Sequence, residues 1–91
     1  MAVIRDRHYD DAVTKLANDP IVINMALAMQ STPREQMSDS SGGPSFDFMN
    51  AANREYNSRG GTFHAHIGAV AEAIFKILDF LETPGAKWEI H

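Results

Sequence analysis

The fold turns on residues 62–83, which read TFHAHIGAVAEAIFKILDFLET. Within this stretch Phe63, Ile67, Val70, Ile74, Ile77 and Leu81 are separated by 4, 3, 4, 3 and 4 positions, the repeat of a helical seam. At about 100° per residue the six fall in one narrow stripe. Phe75 and Leu78 widen that stripe on one side, and Ala73 and Phe80 widen it on the other. The apolar arc then covers roughly 220°, where a surface helix needs a little over 100°. Only Gly68, Glu72, Lys76 and Asp79 form a polar strip. A helix of this kind must be buried on two sides, which predicts an all-α fold built around it. Thr62 is placed to cap it, and Pro84-Gly85 to stop it.

Working back from this helix, Arg59-Gly60-Gly61 reads as a tight turn, because glycine is favoured just past a helix end. Before it, Ser45 can cap a helix that ends near Ser58 and carries Phe46, Met49, Asn53 and Tyr56 on one stripe. The two segments, about 45–58 and 62–83, are expected to pair as an antiparallel helical hairpin. Asn53 and Tyr56 share a stripe with Phe46 and Met49, so at least one polar group must face the core or a partner.

The N-terminal half supplies shorter helices. Asp6 can cap one that carries Tyr9, Val13 and Leu16, with Asp10 and Asp11 at its positive end. Asn18-Asp19-Pro20 closes it and opens the next, with Asp19 as cap and Pro20 at the first helical position. Val22, Met25, Ala26 and Met29 then recur at helical spacing, although Ile21-Val22-Ile23 is a β-branched run. Thr32-Pro33-Arg34-Glu35 has the form of a capping box before a short helix. A flexible Ser/Gly loop at 38–44 and an extended tail at 84–91 complete one domain, a bundle of about four to five helices.

At 91 residues a single core is marginal, and there is no cysteine to staple it. Three short Met- and Ala-bearing helices look like thin cover for so apolar a rod. Self-association is therefore expected, through Phe63, His66, Val70, Ala73, Ile77 and Phe80. Trp88 and Ile90, on one side of the alternating tail, are a further candidate partner contact. The chain carries 8 basic and 12 acidic residues, net −4, without a basic cluster, so nucleic acid is not an expected partner. No apolar run approaches the roughly 20 residues of a membrane span. The N-terminus turns charged at once, unlike a signal peptide, so a cytoplasmic protein is expected.

Chemistry-bearing motifs are few. His64 and His66 lie two apart on an expected helix and point in nearly opposite directions, so they cannot share a metal ion. Arg59, Gly60, Gly61 and Thr62, with Tyr56 nearby, combine a guanidinium, permissive backbone and a hydroxyl ahead of a helix, the ingredients of an anion site. The carboxylates form no paired magnesium-holding array, and the serines sit in a loop without a rigid elbow. No enzyme activity, metal or cofactor is expected.

Small, acidic, cysteine-free and helical, the composition resembles that of bacteriophage-encoded modulators of host machinery. The function expected on these grounds is a non-enzymatic, self-associating protein that occupies a partner protein's surface. The competing expectation is an oligomer that binds or sequesters an anionic small molecule, such as a nucleotide, at residues 59–62.

Overall fold

The structure, a computed structural model, describes residues 7–62 and 66–82. Four helices follow in order: α1 Arg7–Ala17, α2 Pro20–Ala28, α3 Phe46–Ser58 and α4 Ala69–Leu81, with a single 3-10 turn at Arg34–Gln36. Among the described residues no strand forms beyond an isolated bridge between Ser38 and Pro44. The protein is an all-helical small bundle. The proposed Asp6 cap, the segment 63–65 and the tail from Thr83, with Trp88 and Ile90, lie outside the described residues.

Local signals placed two helix starts correctly. Asp19 caps α2, its Oδ1 accepting from the Ile21 amide at 2.9 Å, and Pro20 takes the first helical position. Ser45 caps α3 in the same manner, its hydroxyl accepting from the Phe48 amide at 3.1 Å. The β-branched run at 21–23 is helical, with Val22 and Ile23 buried together with Met25 and Ala26. The expected capping box at Thr32 does not form. The chain makes one 3-10 turn there, with Pro33 at the cap position and no side-chain cap bond. Ser38 instead donates to the Arg34 carbonyl at 2.9 Å. The 38–44 loop is closed on itself by an Asp39 amide bond to the Gly43 carbonyl at 2.8 Å. Asp39 Oδ1 also accepts from the Ser41 hydroxyl at 2.6 Å and from its amide, which holds the carboxyl below its ordinary range.

The central helix begins at Ala69, seven positions later than Thr62. Ile67 and Gly68 form a turn closed by the Ala69 amide on the His66 carbonyl, 3.0 Å. Gly68 stands at the boundary, as the N-cap of α4. A methyl group at this position would lie 3.0 Å from Tyr9 Oη and 3.3 Å from Met49 Sδ, so the backbone passes tightly between α1 and α3. Glycine also weakens a helix interior by about 1 kcal/mol. The apolar seam loses Ile67, which precedes the helix and is 38% exposed, while Phe63 lies outside the described residues. A longer return, not a tight Gly-Gly turn, joins α3 to α4.

Helix α4 packs against α1, α2 and α3. Ala69, Val70, Ala71, Ala73, Ile74, Phe75, Ile77 and Leu78 are all buried by the chain itself. A helix apolar around most of its circumference belongs in the middle of a core, and here it lies there without a second subunit. The expectation that Val70, Ala73 and Ile77 face another copy is thereby corrected: each is 0% exposed inside one chain. The cover comes from α1 and from α2, whose apolar residues occupy more than one face. Phe48 of α3 stacks on Phe75 with ring centres 5.7 Å apart. The Arg34 guanidinium lies 4.4 Å from the same ring and reaches Asp79 at 2.7 Å. This ties the 3-10 turn to the last turns of α4.

Candidate functional site

The sharpest polar arrangement lies where α1 ends, α2 begins and α3 ends. On α1, Asp11 and Lys15 are one turn apart, as are Ala12 and Leu16. Four positions past Lys15 comes Asp19, the cap of α2. Tyr56, in the last turn of α3, brings its hydroxyl to Asp19 and donates to Oδ2 at 2.7 Å. The Asp19 carboxylate thus serves two elements at once, one oxygen capping α2 and the other holding α3. Burial first, and the adjoining carboxylate second, push the Tyr56 hydroxyl up to about 12, so the phenol remains a neutral donor through the physiological range. His66, in the return before α4, closes the remaining side, its ring edge-on to Tyr9 at 5.5 Å.

Together these groups line a cleft of about 460 Å³, with Ala12 and Leu16 as its apolar part. That volume is within the usual range for small-molecule and side-chain pockets. Neither Asp11 nor Lys15 takes part in an ion pair among the described residues.

The anion site expected at residues 59–62 is not assembled. Gly60, at φ +103, and Gly61 complete a double-bonded helix end. The Gly61 amide donates to the Tyr56 carbonyl at 2.9 Å and the Gly60 amide to the Asn57 carbonyl at 3.1 Å. Both amides are engaged, and no helix starts beside them, because the next begins at Ala69. Arg59 is paired with Glu55 one turn back, Nε to Oε2 at 2.6 Å. Thr62 is exposed. Gly61 has a packing role besides: a Cβ there would fall onto the Tyr56 ring, within 2.6 Å of both Cε atoms.

Of the other sequence candidates, Tyr56 and His66 do enter a common site, though not the one expected. Asp19 was legible only as a cap, and its role opposite Tyr56 joins residues 37 positions apart. The stripe reading of Asn53 is met: it is 0% exposed, and neither amide atom has a hydrogen-bond partner among the described residues. Among the described residues four large apolar side chains remain well exposed, Phe46 at 66%, Leu27 at 44%, Ile67 at 38% and Phe80 at 37%.

Fold and surface define a small helical-bundle protein with an acidic balance and a polar cleft, and its kinship is with bacteriophage proteins. The chain is 44% identical over 84 residues to the Gene 80 protein of Mycobacterium phage L5, covering 89% of this chain and 91% of that protein. It belongs to the family of that phage protein. No family model matches the sequence. No solved structure matches it either. Among the described residues no helix is long and apolar enough to cross a membrane.

Proposed function

We propose that this phage protein is a non-enzymatic interaction module that acts in the host cytoplasm by occupying the surface of a partner protein, as a modulator or inhibitor of host machinery. The observation that carries the reading is Phe46. It stands at the first position of α3 with 66% of its surface exposed. The cap at this helix start needs only the Ser45 hydroxyl and the Phe48 amide, so helix formation does not demand an aromatic at 46. Phenylalanine is among the aromatic residues enriched at protein–protein interfaces relative to the rest of the surface. Self-association belongs to the same proposal. With the α4 seam closed inside the chain, a homo-oligomer would form through exposed residues such as Phe46 and Phe80 and not through Val70, Ala73 or Ile77.

The test is retention of a host protein by the immobilised chain and by its Phe46→Ser variant. The expected result is one stoichiometric partner held by the parent chain and lost by the variant, with unchanged circular dichroism and melting temperature. Equal retention by both, or none by either, rejects the reading. Native mass spectrometry of the parent chain and of Phe80→Glu reads the oligomer directly, and a monomer in both removes self-association.

A further inference from the structure

We infer that the cleft between α1 and the Asp19–Tyr56 pair is the recognition pocket for an arginine side chain presented by the partner protein, an inference that rests on the interaction-module reading above. Two carboxylates face the cleft from different elements, Asp11 from α1 and Asp19 from the start of α2. Asp19 already accepts from the Ile21 amide and the Tyr56 hydroxyl, one bond on each oxygen, and a carboxylate oxygen has a second lone pair to offer. The Tyr56 bond therefore fixes the carboxylate in place without saturating it. The C-terminal end of α1 and the N-terminal end of α2 meet here, so the two helix dipoles oppose each other and the preference for a cation rests on the carboxylates.

Guanidinium suits the site better than ammonium for two reasons. Its planar fork of five donors can engage both carboxylates, and its face can lie against an aromatic ring. His66 supplies such a ring at the cleft wall, and Ala12 with Leu16 supplies apolar surface for the methylene stem. The whole chain is acidic, at net −4, which steers a basic surface toward it.

Lys15 is the group that argues the other way. It lines the same cleft, one turn from Asp11, and it is exposed and unpaired among the described residues. An ammonium there opposes a second cation and would welcome an anion. Its long exposed stem lets it turn to solvent, so its expected role is to weaken arginine binding, not to prevent it. That role separates a cation pocket from an anion pocket experimentally.

The experiment is an amide-resolved NMR titration of the isotope-labelled full chain with N-acetylarginine methylamide, its neutral citrulline counterpart and inorganic phosphate. Saturable shifts at Ala12, Leu16, Asp19, Tyr56 and His66 are expected with the arginine compound alone. Asp19→Asn still caps α2 but weakens the bond to the Tyr56 hydroxyl, so its melting temperature should fall by several degrees with the circular dichroism of the folded chain retained, while the arginine shifts vanish. Lys15→Gln should tighten arginine binding severalfold. Shifts with phosphate that disappear in Lys15→Gln would reverse the assignment to an anion site, and equal shifts with citrulline would remove the charge recognition. Host-partner capture separates the two readings. Loss of the captured partner in folded Asp19→Asn supports the pocket. Full capture by that variant overturns it and leaves the Phe46 reading intact.

Discussion

Helices α3 and α4 both contain 13 residues, yet α4 buries eight of its side chains and α3 only Ala52, Asn53 and Tyr56. The difference is one of position. Helix α4 is surrounded by the other three and is held chiefly by apolar area, with the Arg34–Asp79 pair added near its C-terminal end. Helix α3 lies against the bundle on one side and is held by individual devices: the Ser45 cap, the Phe48–Phe75 stack, the glycine-closed C-terminus and the Tyr56–Asp19 bond. One helix is the core, and the other is fastened to it. The fastened helix also carries the most exposed aromatic among the described residues and one wall of the polar cleft.

The largest effect should come from the core helix. Ile77→Ala removes a fully buried side chain from a position packed on all sides, and a cost of about 3 kcal/mol is expected from urea unfolding. Phe46→Ala, on the first turn of α3, should stay within about 0.5 kcal/mol of the parent chain. Comparable losses at the two positions would break the contrast between core and strap.

Next in size is Gly61→Ala, which attacks the end of α3 without touching α4. The new methyl would meet the Tyr56 ring, itself buried and tethered to Asp19, so neither can yield easily. A cost of about 2 kcal/mol is expected, typical of forced overpacking. Adding Tyr56→Ala should make the glycine replacement nearly neutral, because the clash then has no second partner. A double-mutant cycle measures this coupling.

Tyr56→Phe removes only the bond to Asp19 and should cost about 1.5 kcal/mol at neutral pH. The raised Tyr56 value adds a pH signature. The folded protein keeps the phenolic proton where an unfolded chain, titrating near 10, has lost it. This contribution is therefore complete below pH 10 and disappears as pH rises toward about 12. Alkaline melting curves should fall more steeply for the parent chain than for Tyr56→Phe. Parallel curves would show that the hydroxyl is not held as the geometry has it.

Much of this contrast was legible in the sequence, and the reasons for the exceptions are physical. Asp19-Pro20 and Ser45 announced their helices because capping involves residues only two or three apart. The strip of Glu72, Lys76 and Asp79 was legible because helical periodicity is local. The start of α4 was not, since the close passage of Gly68 beside Tyr9 and Met49 involves residues of other elements. Burial of Val70, Ala73 and Ile77 within one chain depended on how α1 and α2 fold over α4, and no spacing rule carries that. The cleft was hidden for the same reason: Asp19 and Tyr56 meet across 37 positions. Arg59-Gly60-Gly61 gave a true signal for a helix end, and the anion reading failed because the helix expected after it starts too late.

Asn53 should give a smaller effect than Tyr56, of opposite sign, and the most telling one about α3. A buried amide without partners loses its bonds to water and gains none from protein, a cost that similar groups set at about 1–3 kcal/mol. Leucine has the same branching and the same number of heavy atoms, so Asn53→Leu should fit with little repacking and stabilise the protein. About 1 kcal/mol is the expected gain, near the low end because the slightly larger leucine methyls must be accommodated. For a domain of this size that is a rise in melting temperature of about 4–8 °C. The same change at the core helix, replacing one well-packed aliphatic by another, has no unsatisfied group to relieve and should gain nothing. A loss of stability in Asn53→Leu would mean that the amide is satisfied by an enclosed water, and α3 would then be docked by a hydrogen-bond network at its centre as well as by its two ends.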